Sequence, residues 1–171
     1  MPMERSLTFG MTGIFALALW IVLTNVPDTL ADSFTFDAMV IDVQDGDTLI
    51  VLRNKTRLTV ELPGIDAPEL DQPYGPEAKR FAAKLVKGRV VRIETSQAGT
   101  PIYGGVRFSK NRILAYEMVK AGLAWTTSMD KSSIFGEVQS KAKAARLGLW
   151  VNSEEEEPIP PWEWRAQKRL K

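Results

Sequence analysis

The sequence predicts an α+β fold: a five-stranded β-barrel with about three helices. Three observations predict it. Short apolar or alternating runs, bounded by turn residues, crowd the stretch from Ala38 to Phe108. Apolar residues at helical spacing appear once within that stretch and twice after it. At 171 residues and 44% apolar content, the chain suits one ordinary globular domain.

Ala38–Val43, Thr48–Leu52 and Arg57–Leu62 read as three strands, with Asn54-Lys55 as the middle turn. Tyr74-Gly75-Pro76-Glu77-Ala78 opens a helix, because Pro76 suits a first turn and Glu77 complements the helix dipole. Phe81, Leu85 and Val86 form its apolar stripe, and Lys87-Gly88 closes it. Arg89–Thr95 alternates as a fourth strand, and Ser96–Pro101 is a loop. Tyr103–Phe108 is a fifth strand interrupted by Gly104 and Gly105. Helices are then expected over Arg112–Ala121, ended by Gly122, and from Phe135 or Gly136 to Leu147. Five strands with one helix between the third and fourth is the order of an OB-fold barrel.

Composition narrows the chemistry. The chain has no cysteine, so disulfides and thiolate metal sites are excluded, and no histidine, so acid–base work falls to carboxylates, Lys or Tyr. A net charge of +1 does not carry the basic signature of a nucleic-acid binder.

Residues 1–31 have the pattern of an export signal. Arg5 precedes a run without charge from Ser6 to Pro27, and Thr29-Leu30-Ala31 resembles a small-x-small cleavage site. An uncleaved anchor in the inner membrane is the alternative, since the run is long enough to span a bilayer. Either way the domain, residues 32–150, is expected outside the cytoplasm, periplasmic or secreted. Residues 151–171 form a tail: an acidic run, prolines, then Trp162-Glu163-Trp164-Arg165. It reads as a loosely held extension, unless its two Trp residues clip it onto the barrel.

The stretch from Asp45 to Glu69 organises the chain. Asp45-Gly46-Asp47-Thr48 puts Asp47 where a strand begins after a turn, and Ile65-Asp66-Ala67-Pro68-Glu69 puts Asp66 where another ends. Pro68 disfavours helix at Ala67, which leaves the Ala67 carbonyl free. Such an oxygen-rich cluster suits a hard cation such as calcium. The same residues also serve as plain turn punctuation.

Asp-Gly-Asp-Thr, Ile-Asp-Ala-Pro-Glu, Tyr-Gly-Pro-Glu-Ala, Tyr-Gly before a short strand, Gly122-Leu123-Ala124 and a closing Leu-Trp occur in one order. Together they resemble the staphylococcal nuclease (thermonuclease) family, from about Ala38 to Trp150, and the Trp-Glu-Trp-Arg tail resembles its exported bacterial members. The resemblance implies an OB-fold and calcium-dependent hydrolysis of phosphodiesters in DNA and RNA. It implies that Asp47, Asp66 and the Ala67 carbonyl hold calcium, that Glu69 positions or deprotonates the attacking water, and that Tyr103 lies against substrate. Two departures stand out. The positions that carry the family's catalytic arginines are Glu61 and Gly105 here.

Arg107, two residues beyond Gly105 on the same strand face, is the nearest substitute, and a shifted register would offer Arg112. Three readings follow: an exported nuclease-like protein with weak or no hydrolysis; an active calcium endonuclease using Arg107 or Arg112; or a non-catalytic envelope binding or scaffold module. The expected partner is single-stranded nucleic acid or another anionic polymer, the expected state a monomer, with membrane contact only if the N-terminal segment stays uncleaved.

Overall fold

The computed structural model describes residues 34–97, 99–127, 133–153 and 156–170. The expected export segment, 1–31, lies outside them. Three antiparallel strands come first: β1 (Phe34–Val43), β2 (Thr48–Arg53) and β3 (Thr56–Glu61). Asp45-Gly46 and Asn54-Lys55 sit in the connections, and both Asn54 and Lys55 take the positive φ that a tight hairpin of right-handed strands requires. A two-residue strand, β4 (Ile65–Asp66), precedes helix α1 (Gly75–Val86). Next are β5 (Val90–Thr95), β6 (Ile102–Tyr103), β7 (Gly105–Phe108) and β8 (Arg112–Ile113). Helix α2 (Leu114–Lys120), strand β9 (Trp125–Thr126), helix α3 (Ile134–Ala144) and helix α4 (Pro161–Arg169) complete the order.

The main sheet runs β6-β3-β2-β1-β5-β7-β8. β7 pairs with β5 at one side, while β6 pairs in parallel with β3 at the other, Val60 opposite Ile102 and Glu61 opposite Tyr103. β6 and β7 are consecutive through Gly104, so this one segment joins both sides and closes the sheet. The result is the expected OB-fold barrel, its fifth strand split between two partners. Closure is made by two residue pairs only, so it protects the end of β3 and leaves the barrel partly open.

Alternation fills the interior. Val40, Val43, Leu49, Val51, Val60, Val91, Ile93 and Val106 point inward and are fully or almost fully buried. Helix α1 covers them with Ala78, Ala82 and Val86, and α2 with Leu114, Met118 and Val119. Each large aliphatic buried this way stabilises by about 1.5–3 kcal/mol. A smaller cluster of Trp125, Ala142, Leu149 and Trp150 packs against Tyr74, with the two indoles edge-on at 5.5 Å.

Two expectations change. The helix expected from Arg112 begins at Leu114, because Arg112 and Ile113 pair with Phe108 and Arg107 as β8. The tail is not a loose extension: Pro160 and Pro161 start α4 where a missing N–H costs nothing, and Pro161 is buried. Among the described residues, no helix is long and apolar enough to cross a membrane.

Candidate active site

The turn before β2 is built by side-chain caps. Asp45 Oδ1 accepts from the Asp47 N–H at 3.1 Å and the Thr48 N–H at 2.7 Å. This fixes Asp47 facing the chain that follows β3. Its Oδ2 accepts the Ala67 N–H at 2.7 Å, and its Oδ1 the Thr48 hydroxyl at 3.2 Å. Gly46 makes the approach possible, since a Cβ there would stand 2.6 Å from that of Ala67.

Asp66 is held by the pairing of β4 with β9, opposite Trp125. Glu69 is held by a compact loop: its N–H donates to Gln72 Oε1 at 3.1 Å and its carbonyl accepts the Gln72 N–H at 2.9 Å. Gly75 lets α1 start against this loop, because a Cβ there would lie 1.8 Å from the Glu69 carbonyl oxygen.

These elements frame one open cavity of about 670 Å³, lined by Asp45, Asp47, Glu61, Asp66, Ala67, Glu69 and Tyr103 among others. Sequence reasoning named all of these except Asp45 as site residues or departures, and the fold brings them to one place. Gly105 pairs with Glu94 on β5. Arg107 is elsewhere: it lines a separate groove, and its Nε donates to Glu94 Oε1 at 2.7 Å. Arg112 is bound to Glu117 at 2.8 Å and lies over the Phe108 ring. Neither of the arginines expected as substitutes lines the cavity.

Another arginine does. Arg165, on α4, points its guanidinium at two of the carboxylates. Nη2 donates to Asp66 Oδ2 at 2.7 Å, while Nη1 donates to Asp66 Oδ1 at 3.2 Å and to Glu69 Oε1 at 2.8 Å. Those bonds raise its pKa still further. The sequence does carry a signal for α4, with proline at its start, Glu163 in its first turn and basic residues in its last. Nothing in that pattern says which carboxylates it meets.

Electrostatics set the character of the cavity. Burial pushes the Asp47 carboxyl up to about 8, helped by its hydrogen bond to Asp45 and by the charges of Asp45 and Asp66, against the opposing Ala67 N–H. The charge and hydrogen bond of Glu61 raise the Tyr103 phenol.

Among the described residues, no three acidic side chains are gathered closely enough to hold a metal ion as they stand. The donor set still fits a hard cation. It consists of carboxylate oxygens with no competing nitrogen or sulfur ligand, Asp47 resists ionising without a positive neighbour, and a cation already sits on Asp66 and Glu69 in the form of Arg165.

A family model described as staphylococcal nuclease homologue matches residues 59–152, more than half of the chain. A Haemophilus influenzae protein described as an uncharacterized endonuclease is 32% identical over 136 residues, covering 77% of this chain and 74% of its own length. An Escherichia coli protein of the same description is 32% identical over 132 residues, covering 75% and 84%. A probable staphylococcal-like nuclease of Oryza sativa subsp. japonica is 37% identical over 123 residues. That match covers 70% of this chain and only 31% of the rice protein, so the chain spans about a third of such longer plant relatives. With the barrel closed as it is and the acidic cavity at its mouth, these likenesses place the chain in the staphylococcal nuclease family.

Proposed function

We propose that the protein is a metal-assisted phosphodiesterase acting on single-stranded nucleic acid, exported as a single copy, whose barrel carries the metal-and-water half of the reaction. One observation supports it above the rest: Asp47, from the turn before β2, and the Asp66–Glu69 stretch that follows β3 face one open cavity.

Asp47 and Asp66 would hold a divalent cation, calcium by the chemistry of hard oxygen donors, with the Ala67 carbonyl beside them. When bound, the ion would neutralise charge on the phosphodiester. Glu69 orients a water and takes its proton as the water oxygen attacks phosphorus. The bond from phosphorus to the leaving oxygen breaks, and that oxygen takes a proton from solvent. Glu69 is suited to the task because its loop is pinned twice to Gln72 while its carboxylate stays partly open to the cavity.

The barrel alone offers phosphate little. Asp45, Asp47, Glu61, Asp66 and Glu69 line the wall, and Glu61 stands where the resemblance calls for an arginine. Turnover by these groups without a cation from outside the barrel would be weak. The purified protein, given single-stranded DNA with and without millimolar calcium, tests the reading. Calcium-dependent cleavage supports it. Absence of both cleavage and calcium binding would leave a binding or scaffold module whose carboxylates only hold turns.

A further inference from the structure

Among the described residues lining the cavity, Arg165 is the one cation, set against five carboxylates. It is placed there by anchors other than its own bonds to the Asp66 and Glu69 carboxylates. Gln72 Nε2 donates to the Ile159 carbonyl at 2.6 Å, just before α4. Trp164 Nε1 donates to Asp71 Oδ1 at 3.2 Å, and Lys168 pairs with the same aspartate while lying over the Trp164 ring. Three contacts to the Asp71-Gln72 corner thus fix the helix, and Arg165 is the residue it presents to the cavity.

A guanidinium has five N–H donors in a planar fork. Asp66 and Glu69 take three hydrogen bonds from Arg165, two from Nη1 and one from Nη2. The Nε–H and the second Nη2–H make no hydrogen bond to this site, and the side chain is 43% exposed. A fork held at one edge and open at the other is the arrangement that grips a phosphate through two oxygens.

We propose that Arg165 is the phosphate-binding residue of this site, delivered by the C-terminal helix in place of the arginines the barrel does not carry. This rests on the phosphodiesterase reading above and adds the origin of its cation. A phosphodiester entering the cavity meets repulsion from every other charged wall residue. Beside Glu69, Arg165 would hold the phosphate next to the group that prepares the water, and neutralise charge that grows on its oxygens during attack.

Full-length protein, Arg165→Ala and Arg165→Lys decide the matter through three readouts. These are calcium affinity by calorimetry, binding of a phosphorothioate oligodeoxynucleotide with calcium present, and cleavage of the ordinary oligonucleotide. Arg165→Ala should bind the oligonucleotide at least about tenfold more weakly and cleave it about 10³-fold more slowly, with calcium affinity kept or improved. Arg165→Lys should recover part of the binding and less of the rate, because ammonium supplies charge without the fork. If Arg165→Ala binds calcium more tightly and cleaves faster with oligonucleotide affinity unchanged, Arg165 is a plug on the carboxylates and the proposal fails. If the alanine variant matches the parent in all three, the arginine only fastens the tail, and the proposal also fails. Should the unmutated protein bind but not cleave, the phosphodiesterase reading falls on its own. The binding comparison still judges Arg165: lost affinity upholds it as a phosphate ligand, and unchanged affinity rejects it.

Discussion

Gln72 ties Glu69 to Ile159 through the two ends of one buried amide. Its Oε1 accepts the Glu69 N–H at 3.1 Å, and its Nε2 donates to the Ile159 carbonyl at 2.6 Å. The residue is only 4% exposed, so neither partner has ready water as a substitute. Gln72→Met keeps the volume and removes both bonds. It should destabilise the domain by about 1–3 kcal/mol, measured by urea denaturation. Trypsin should also cut sooner after Arg165 and Lys168 in the native state, because the tail loses an anchor. Stability and cleavage identical to the parent would show that Trp164 and Lys168 hold α4 unaided.

The Asp47 carboxyl makes stability depend on pH. Its folded-state value is raised from 3.8 to about 8, so the folded protein binds the extra proton across that window. The contribution is fully present below about pH 4 and is lost as pH rises through about 8. Without metal, Tm should therefore fall between pH 5 and pH 8.5, on top of the titration of other groups. Asp47→Asn should flatten that part of the slope. Millimolar calcium favours the ionised carboxylate, so its stabilising effect should be larger at pH 8 than at pH 5 and small in Asp66→Asn. An equal calcium shift at both pH values would take Asp47 out of the ligand set.

The two barrel positions without arginine can be refilled. An added Cβ at Gly105 would meet only the Glu94 carbonyl oxygen, at 3.8 Å, so a side chain fits there. Glu61 already lines the cavity beside Tyr103. Glu61→Arg with Gly105→Arg shifts the local charge three units towards positive. Calcium-dependent cleavage should rise by about 10²-fold or more. The gain should survive when Arg165→Ala is added, since the barrel then supplies its own cations. No gain in a folded, calcium-binding double variant would mean the substrate cannot reach Glu69.

Export is read from the first 31 residues alone. Mass spectrometry of protein recovered from the producing cell should find Asp32 at the new N-terminus. Intact Met1 in a membrane fraction would make the protein an anchored one.

Most of the barrel was legible because its strands alternate and its turns carry Asp-Gly and Asn-Lys chemistry. Even the split fifth strand showed itself as a Gly104-Gly105 interruption. The β8 pairing was not legible: Arg112-Ile113 has the apolar spacing of the helix it precedes, and only Phe108 and Arg107 across the hairpin draw it into the sheet. At the site, the acidic half announced itself because each carboxylate sits beside a turn residue. The basic half was hidden. Its placement depends on a tryptophan reaching Asp71 and an amide reaching Ile159, contacts spanning 93 and 87 residues that leave no periodic trace.

Asp66 and Arg165 are 99 residues apart along the chain, and every strand of the barrel lies before Arg165. A ribosome adds about 5–20 residues per second, so the barrel can begin folding before α4 has been made. If Arg165 is what holds phosphate, a barrel that folds before α4 docks has its carboxylates in place and, among the described residues, no cation beside them. Docking of α4 would then be the step that completes the site.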